Sequence, residues 1–228
     1  MEVGLHNKFY IYLLFLIFST NVYAVEFKGD FKQGSFILGK TSPDTKISID
    51  DRNIRVSKDG YFAFGLDRDR KNDVIIKIKK NGDSEKIIKK VFKREYKIQR
   101  IDGLPPKQVT PPPEVYERIK KDNILIGKAR SLDTPFDFFK KKFIYPIDKY
   151  IITGVYGSQR ILNGKPRRPH YGIDFHAPEG TPVKAMMDGE VTLVANDMYF
   201  TGGTIIFDHG HGISTLYMHM KDINVKTG

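Results

Sequence analysis

His170 and Asp174 stand four residues apart in the segment PHYGIDFHAPEGTPVKAMMDGEVTLVA, which runs from Pro169 to Ala195. An imidazole and a carboxylate are both ordinary zinc ligands at neutral pH. Pro169 steers Arg168 away from helical backbone, and Tyr171, Ile173 and Phe175 alternate with His170, Gly172 and Asp174. That period of two predicts a strand. Residues i and i+4 of a strand share a face, so the two donors project together. The rest, PEGTPV and then DGEVTLV, reads as a turn, a strand, a tight turn and another strand. The pair by itself is weak, because a chain with six His meets such spacing by chance.

Other side chains compete for chemical roles. His209 and His211 lie two apart in DHGHG, a spacing that could share a strand face and bind metal. Gly210 and Gly212 interleave them, however, which favours a turn with polar loop histidines. His219 falls in the expected strand STLYMHM, where a half-buried structural histidine is the plain reading. His176 follows Asp174 by two. Arg160 and Asn163, in GSQRILNGKPRRPH, could line a cleft, although exposed loop polarity explains both.

Together, GVYGSQR…RRPHYGIDFHAPEGTPVKAMMDGEVTLV…GGTIIFDHGHGISTLYMHM…VKTG resembles the lysostaphin/LytM-type zinc peptidases, which cut peptide cross-links in bacterial peptidoglycan. The resemblance covers about Tyr150 to Gly228 and says nothing about residues 25–140. It implies an antiparallel β metallopeptidase fold holding Zn²⁺, with His170 and Asp174 as two of the ligands. His219 matches a Tyr-x-His motif whose His assists catalysis without binding the metal. His209 matches a recurrent His just after a strand, His211 falls at a variable place, and the position of His176 is usually a non-ligand. The family also has a closing His-x-His motif, whose second His is the third zinc ligand and whose first is catalytic. Here the chain stops at Val225-Lys226-Thr227-Gly228 before that motif, so the expectation is a truncated chain with an incomplete site.

The mechanism so implied is hydrolysis by a zinc-activated water, with a histidine moving the proton. The expected function is a zinc-dependent endopeptidase acting on peptidoglycan stem peptides. The alternative is a non-catalytic relative that binds the wall or activates a partner hydrolase.

Composition sets bounds on these expectations. The chain has 228 residues and a formal net charge of +11, a balance that suits an anionic polymer, a membrane surface or nucleic acid. FYIYLLFLIFST after Lys8, followed by NVYA, predicts a secretory signal peptide over residues 1–24. Export to the periplasm or cell envelope removes nucleic acid as a partner, and cleavage removes stable membrane insertion. A regulatory protein partner is left open. Cysteine is absent, which excludes thiol catalysis, disulfides and cysteine-ligated zinc.

The elements that must position the site read as mainly β. From Val25 to Asp102, short apolar runs are separated by turns such as Asp50-Asp51-Arg52-Asn53, Lys58-Asp59-Gly60 and Asn81-Gly82. Seven or eight short strands of that kind predict a β-sandwich-like module. Residues 103–143 read as a Pro-rich linker plus one helix over Glu114–Ser131. Its stripe is Val115, Ile119, Ile126 and Ala129, interrupted at Asp122, with Thr110 a candidate cap. Phe136, Phe138 and Phe139 then suit packing against a domain better than membrane contact. Residues 144–228 form the expected LytM-type peptidase domain.

Overall fold

The computed structural model describes residues 24–105 and 110–228, so all of the expected signal peptide except Ala24 lies outside the described residues. Among the described residues no helix is long and apolar enough to cross a membrane.

The first seven strands build two facing sheets. Strands β1 (Glu26–Lys28), β2 (Phe36–Lys40) and β5 (Tyr61–Gly65) form one, in the order β1-β2-β5. Strands β3 (Lys46–Ile49), β4 (Arg52–Ile54), β6 (Val74–Lys80) and β7 (Asp83–Lys89) form the other, in the order β4-β3-β6-β7. All pairings in both sheets are antiparallel. Alternation dictates the buried face: Val74, Ile76 and Ile78 are fully buried, while Lys77 and Lys79 point outward. They meet Ile37, Ile47, Ile49, Phe62, Phe64 and Leu66 in one apolar core.

Burying each such side chain stabilises by about 1.5–3 kcal/mol. The surface ion pair Lys77–Asp51 has partners that are 43% and 78% exposed, and a pair of that kind contributes about 0–1 kcal/mol. The core, not the charge pairing, therefore holds the sandwich. Two hairpins are set by their turn residues. Asn81 and Gly82 join β6 to β7 with φ of 52° and 90°, and Asp50 and Asp51 join β3 to β4 with φ of 48° and 67°. Two successive positive φ values are what a type I′ turn requires.

Strand β8 (Ile98–Ile101) leaves the sandwich. It runs parallel to β10 (Gln159–Leu162), which pairs with β11 (Lys165–Pro166). The helix follows as a 3-10 turn, Pro113–Val115, leading into α1 (Tyr116–Arg130). Prolines occupy the entry turn as expected, but Thr110 does not cap it: the cap position is Pro112, with no side-chain bond.

The remaining strands are β9 (Ile151–Gly154), β12 (Asp174–His176), β13 (Glu190–Met198), β14 (Gly202–Asp208) and β15 (Ser214–Met220). Strand β12 pairs with β9, and β13-β14-β15 forms an antiparallel sheet whose core is Val191, Ile205 and Phe207. Phe139 is buried with Ala63 and Met187. Phe36, Leu38 and Tyr61 of the sandwich pack on this cluster from one side, Met186 and Ile213 from the other. Phe139 thus fills the joint between the two halves, and the Phe136 ring lies tilted against Phe138, ring centroids 5.2 Å apart.

Two expected strands do not form. Residues 169–173 and 181–187 are irregular, because each makes only isolated backbone bonds with its neighbours. For the second, these are Ile144 N–H to the Met186 carbonyl and Lys184 N–H to the Pro146 carbonyl, at 2.9 and 2.8 Å.

Candidate metal centre

A bent segment, not a strand, brings His170 and Asp174 together. Four residues of extended chain would separate their Cα atoms by about 13 Å. The observed separation of His170 Nε2 from Asp174 Oδ1 is 3.1 Å, and the chain bends at Gly172. The two side chains meet through this bend and not through a shared strand face.

His170 is held through its backbone by the turn Val155-Tyr156-Gly157-Ser158. Ser158 N–H donates to the Val155 carbonyl at 3.3 Å, and Gly157, at the third position, has a φ of 86°. That is the position at which a type II turn needs positive φ. Gly157 N–H donates to the His170 carbonyl and His170 N–H to the Ser158 carbonyl, both at 2.7 Å. Nδ1 of the ring lies 3.4 Å from the Val155 carbonyl. An Nδ1–H aimed at that carbonyl leaves the Nε2 lone pair facing the carboxylate, the tautomer a metal-ligating histidine uses.

Asp174 opens β12 opposite Gly154, where the register shifts. A Cβ on Gly154 would fall inside van der Waals contact of Asp174 Oδ2, so only glycine leaves room for this carboxylate. Both side chains are accessible, at 29% and 49% exposure. Two convergent donors above a glycine cradle fit two positions of a zinc site. Among the described residues, no group of three or more His, Cys, Asp or Glu gathers into a metal-binding cluster.

His219 sits on β15 at a bulge. Gly203 pairs with Met220 and Ile205 with Tyr217, so Met218 and His219 together oppose Thr204. His219 has a φ of 61° and an exposed side chain, and its N–H donates to the Thr201 carbonyl at 2.8 Å. A left-handed non-glycine residue is uncommon and costs of order 1 kcal/mol or more. The bulge turns the ring away from the strand's alternation. No hydrogen bond or ion pair joins His219 to His170 or Asp174. The end of β15 nevertheless adjoins the segment after β12, because Lys221 pairs with Glu179 and Met186 N–H donates to Tyr217 Oη at 2.7 Å.

The other candidates have different tasks. His209 is fully buried, with Nδ1 2.6 Å from the Asp188 carbonyl and Nε2 2.8 Å from Thr215 Oγ1. Both nitrogens are committed, and burial pushes its pKa below the usual imidazole value. A Cβ on Gly189 would crowd this ring, a packing role for DGE that the sequence did not reveal. His211 packs on Phe139, ring centroids 4.8 Å apart, with its pKa also lowered by burial and by the charge of Arg55. His176 is exposed on β12. Asn163 clasps the linker, accepting from Leu104 N–H at 3.0 Å and donating to the Leu104 carbonyl at 2.7 Å. Arg160 is exposed on β10. Sequence reasoning missed Val155 and Gly154; the Gly-Val-Tyr-Gly run, with two glycines around a turn, was the available signal.

Comparison with known proteins agrees with the resemblance to LytM-type peptidases over the C-terminal part of the chain: residues 168–228 match Peptidase family M23. Among relatives, the chain is 37% identical over 86 residues to the peptidoglycan DD-endopeptidase ShyA of Vibrio cholerae, covering 37% of this chain and 20% of ShyA. It is 38% identical over 61 residues to the DD-carboxypeptidase/endopeptidase Mpg of Neisseria meningitidis serogroup B, covering 27% of this chain and 14% of Mpg. The chain thus spans a fifth or less of the length of these relatives. A crystal structure of a candidate M23 peptidase from Pseudomonas aeruginosa superposes with a TM-score of 0.62 at 19% identity, covering 87% of this chain and 78% of that one. That likeness establishes the shared fold.

Proposed function

We propose that this protein is a zinc-dependent endopeptidase of the bacterial cell envelope that hydrolyses peptide cross-links in peptidoglycan. The observation carrying this reading is the 3.1 Å approach of His170 Nε2 to Asp174 Oδ1 above Gly154, within the segment that matches Peptidase family M23. His170 and Asp174 would hold the metal, and the Val155 carbonyl would fix the imidazole tautomer. Zinc held there would supply a Lewis acid that polarises a carbonyl and lowers the pKa of a bound water. His219, exposed on its bulge, would take a proton from the attacking water and return it to the leaving amine. The signal peptide over residues 1–24 would deliver the chain to its substrate. The working parts would be a sandwich over 25–102, a linker with its helix over 103–143 and a peptidase segment over 144–228.

A second reading, a wall-binding or hydrolase-activating protein without activity, draws support from the gathering of two metal donors rather than three among the described residues. Purified sacculi separate the two. The peptidase reading predicts soluble muropeptides that disappear with a chelator, and a loss of about 10²–10⁴-fold in rate for His219→Ala. Sacculus binding without any release, with or without added zinc, contradicts it and favours the second reading.

A further inference from the structure

Arg68 belongs to the sandwich, in the loop between β5 and β6, yet its side chain is spent on the other half of the molecule. It is 9% exposed, and its Nε and Nη2 both donate to the Gly157 carbonyl, at 2.8 and 2.6 Å. The guanidinium carbon lies 4.2 Å from the centroid of the Tyr96 ring, and Tyr96 Oη donates to the Arg68 carbonyl at 3.1 Å. Nη1 is occupied by Asp69. The loop that carries Arg68 is itself anchored: Gly34 N–H donates to the Leu66 carbonyl, and Arg70 pairs with Asp50 at 2.7 Å.

What Arg68 grips is the turn that holds His170. Gly157 offers its carbonyl to Arg68 and its N–H to the His170 carbonyl. Two glycines allow this approach. A Cβ on Gly157 would collide with the Tyr96 ring, and a Cβ on Gly34 would collide with Tyr156. Tyr156 in turn meets Tyr171, the neighbour of His170, ring centroids 6.1 Å apart. Two routes therefore run from the sandwich to the histidine, one through the Arg68 guanidinium and the backbone hydrogen bonds of the turn, and one through the edge-on contact of Tyr156 with Tyr171.

We propose that Arg68, seated on Tyr96, is a positioning residue for His170, so that the N-terminal sandwich forms part of the metal site. This rests on the reading of His170 as a metal ligand. A guanidinium is required, because two parallel N–H groups on one carbonyl and a flat face on a ring are beyond a lysine. Partners that orient a metal-binding histidine typically change metal affinity by 10–100-fold when lost.

The test uses the full chain and two measurements. In Arg68→Ala, backbone hydrogen exchange across 155–158 and at 170 is expected to rise at least about 10-fold, with exchange in β6 unchanged as proof of folding. Zinc affinity is expected to fall about 10-fold or more. Arg68→Lys should fail to restore either, and Tyr96→Leu, which removes the ring platform and the hydroxyl bond to the Arg68 carbonyl but leaves the guanidinium, should move both in the same direction by less. Unchanged exchange at 155–158 in Arg68→Ala overturns the clamp, as does full rescue by lysine. Faster exchange with unaltered zinc affinity overturns the link to the metal. A different result, zinc affinity indifferent to His170→Ala and Asp174→Ala, would instead sink the ligand assignment, while the exchange measurement still judges the clamp.

Discussion

At the scale of residues, the five described histidines divide by what surrounds each ring nitrogen. His170 keeps Nε2 facing a carboxylate in an accessible place, whereas His209 has both nitrogens bound inside the core. The difference has a measurable consequence. Burial holds the pKa of His209 below its ordinary value of 6.5, so the unfolded chain binds a proton there more readily than the folded one. Its contribution to stability is therefore complete above about pH 6.5 and declines as pH falls below it. Denaturant midpoints taken between pH 7.5 and 5.5 should drop less steeply in His209→Gln than in the native sequence. An equal or steeper drop would remove His209 as the source of that slope. The replacement should itself cost about 1–3 kcal/mol at pH 7.5, since the Asp188 carbonyl and the Thr215 hydroxyl lose a matched partner.

At the scale of elements, alternation and turn chemistry carried most of the fold. Val74, Ile76 and Ile78 announce a half-buried strand, Asn81-Gly82 announces the hairpin, and STLYMHM coincides with β15. The failures share one cause, which is that alternation reports which face a side chain would take, not whether a ladder partner exists. Residues 169–173 alternate well but bend at Gly172, and that bend gathers the two donors that a flat strand would have kept apart. The bulge at His219 is equally silent in sequence, because it arises from the offset between β14 and β15.

The helix gives the opposite lesson. Asp122 interrupts the apolar stripe of α1 in sequence, yet it lies on the same inward face as Ile119, Ile126 and Ala129. There it accepts from Tyr199 N–H at 2.8 Å, while Arg118 pairs with Asp197, so the helix pins the β13–β14 connection by polar contacts. Asp122→Ala should cost about 1–3 kcal/mol by stranding that amide, and Asn should recover part of it. Thermal unfolding with exchange at the Tyr199 amide checks this. Unaltered protection of that amide in the alanine variant would show that the helix does not hold the connection.

At the scale of the whole molecule, the two halves are joined rather than strung together. Phe139 fills an apolar cluster between them, Lys140 bridges Asp59 of the sandwich and Asp137, and β8 runs beside β10. Lys140 is held well above the usual lysine range by hydrogen bonds to Asp137 and Asp59. The full sequence carries a net charge of +11, so under the proposed function binding to an anionic wall polymer should weaken with salt. The proposed peptidase function requires that the bent segment and its glycine cradle bind zinc. The decisive measurement is a zinc titration of the full chain beside His170→Ala, Asp174→Ala, Gly154→Ala and His219→Ala. The account predicts binding that is lost in the first two, weakened when a methyl group displaces the Asp174 carboxylate, and retained in His219→Ala. Loss of zinc in His219→Ala with retention in His170→Ala would contradict it.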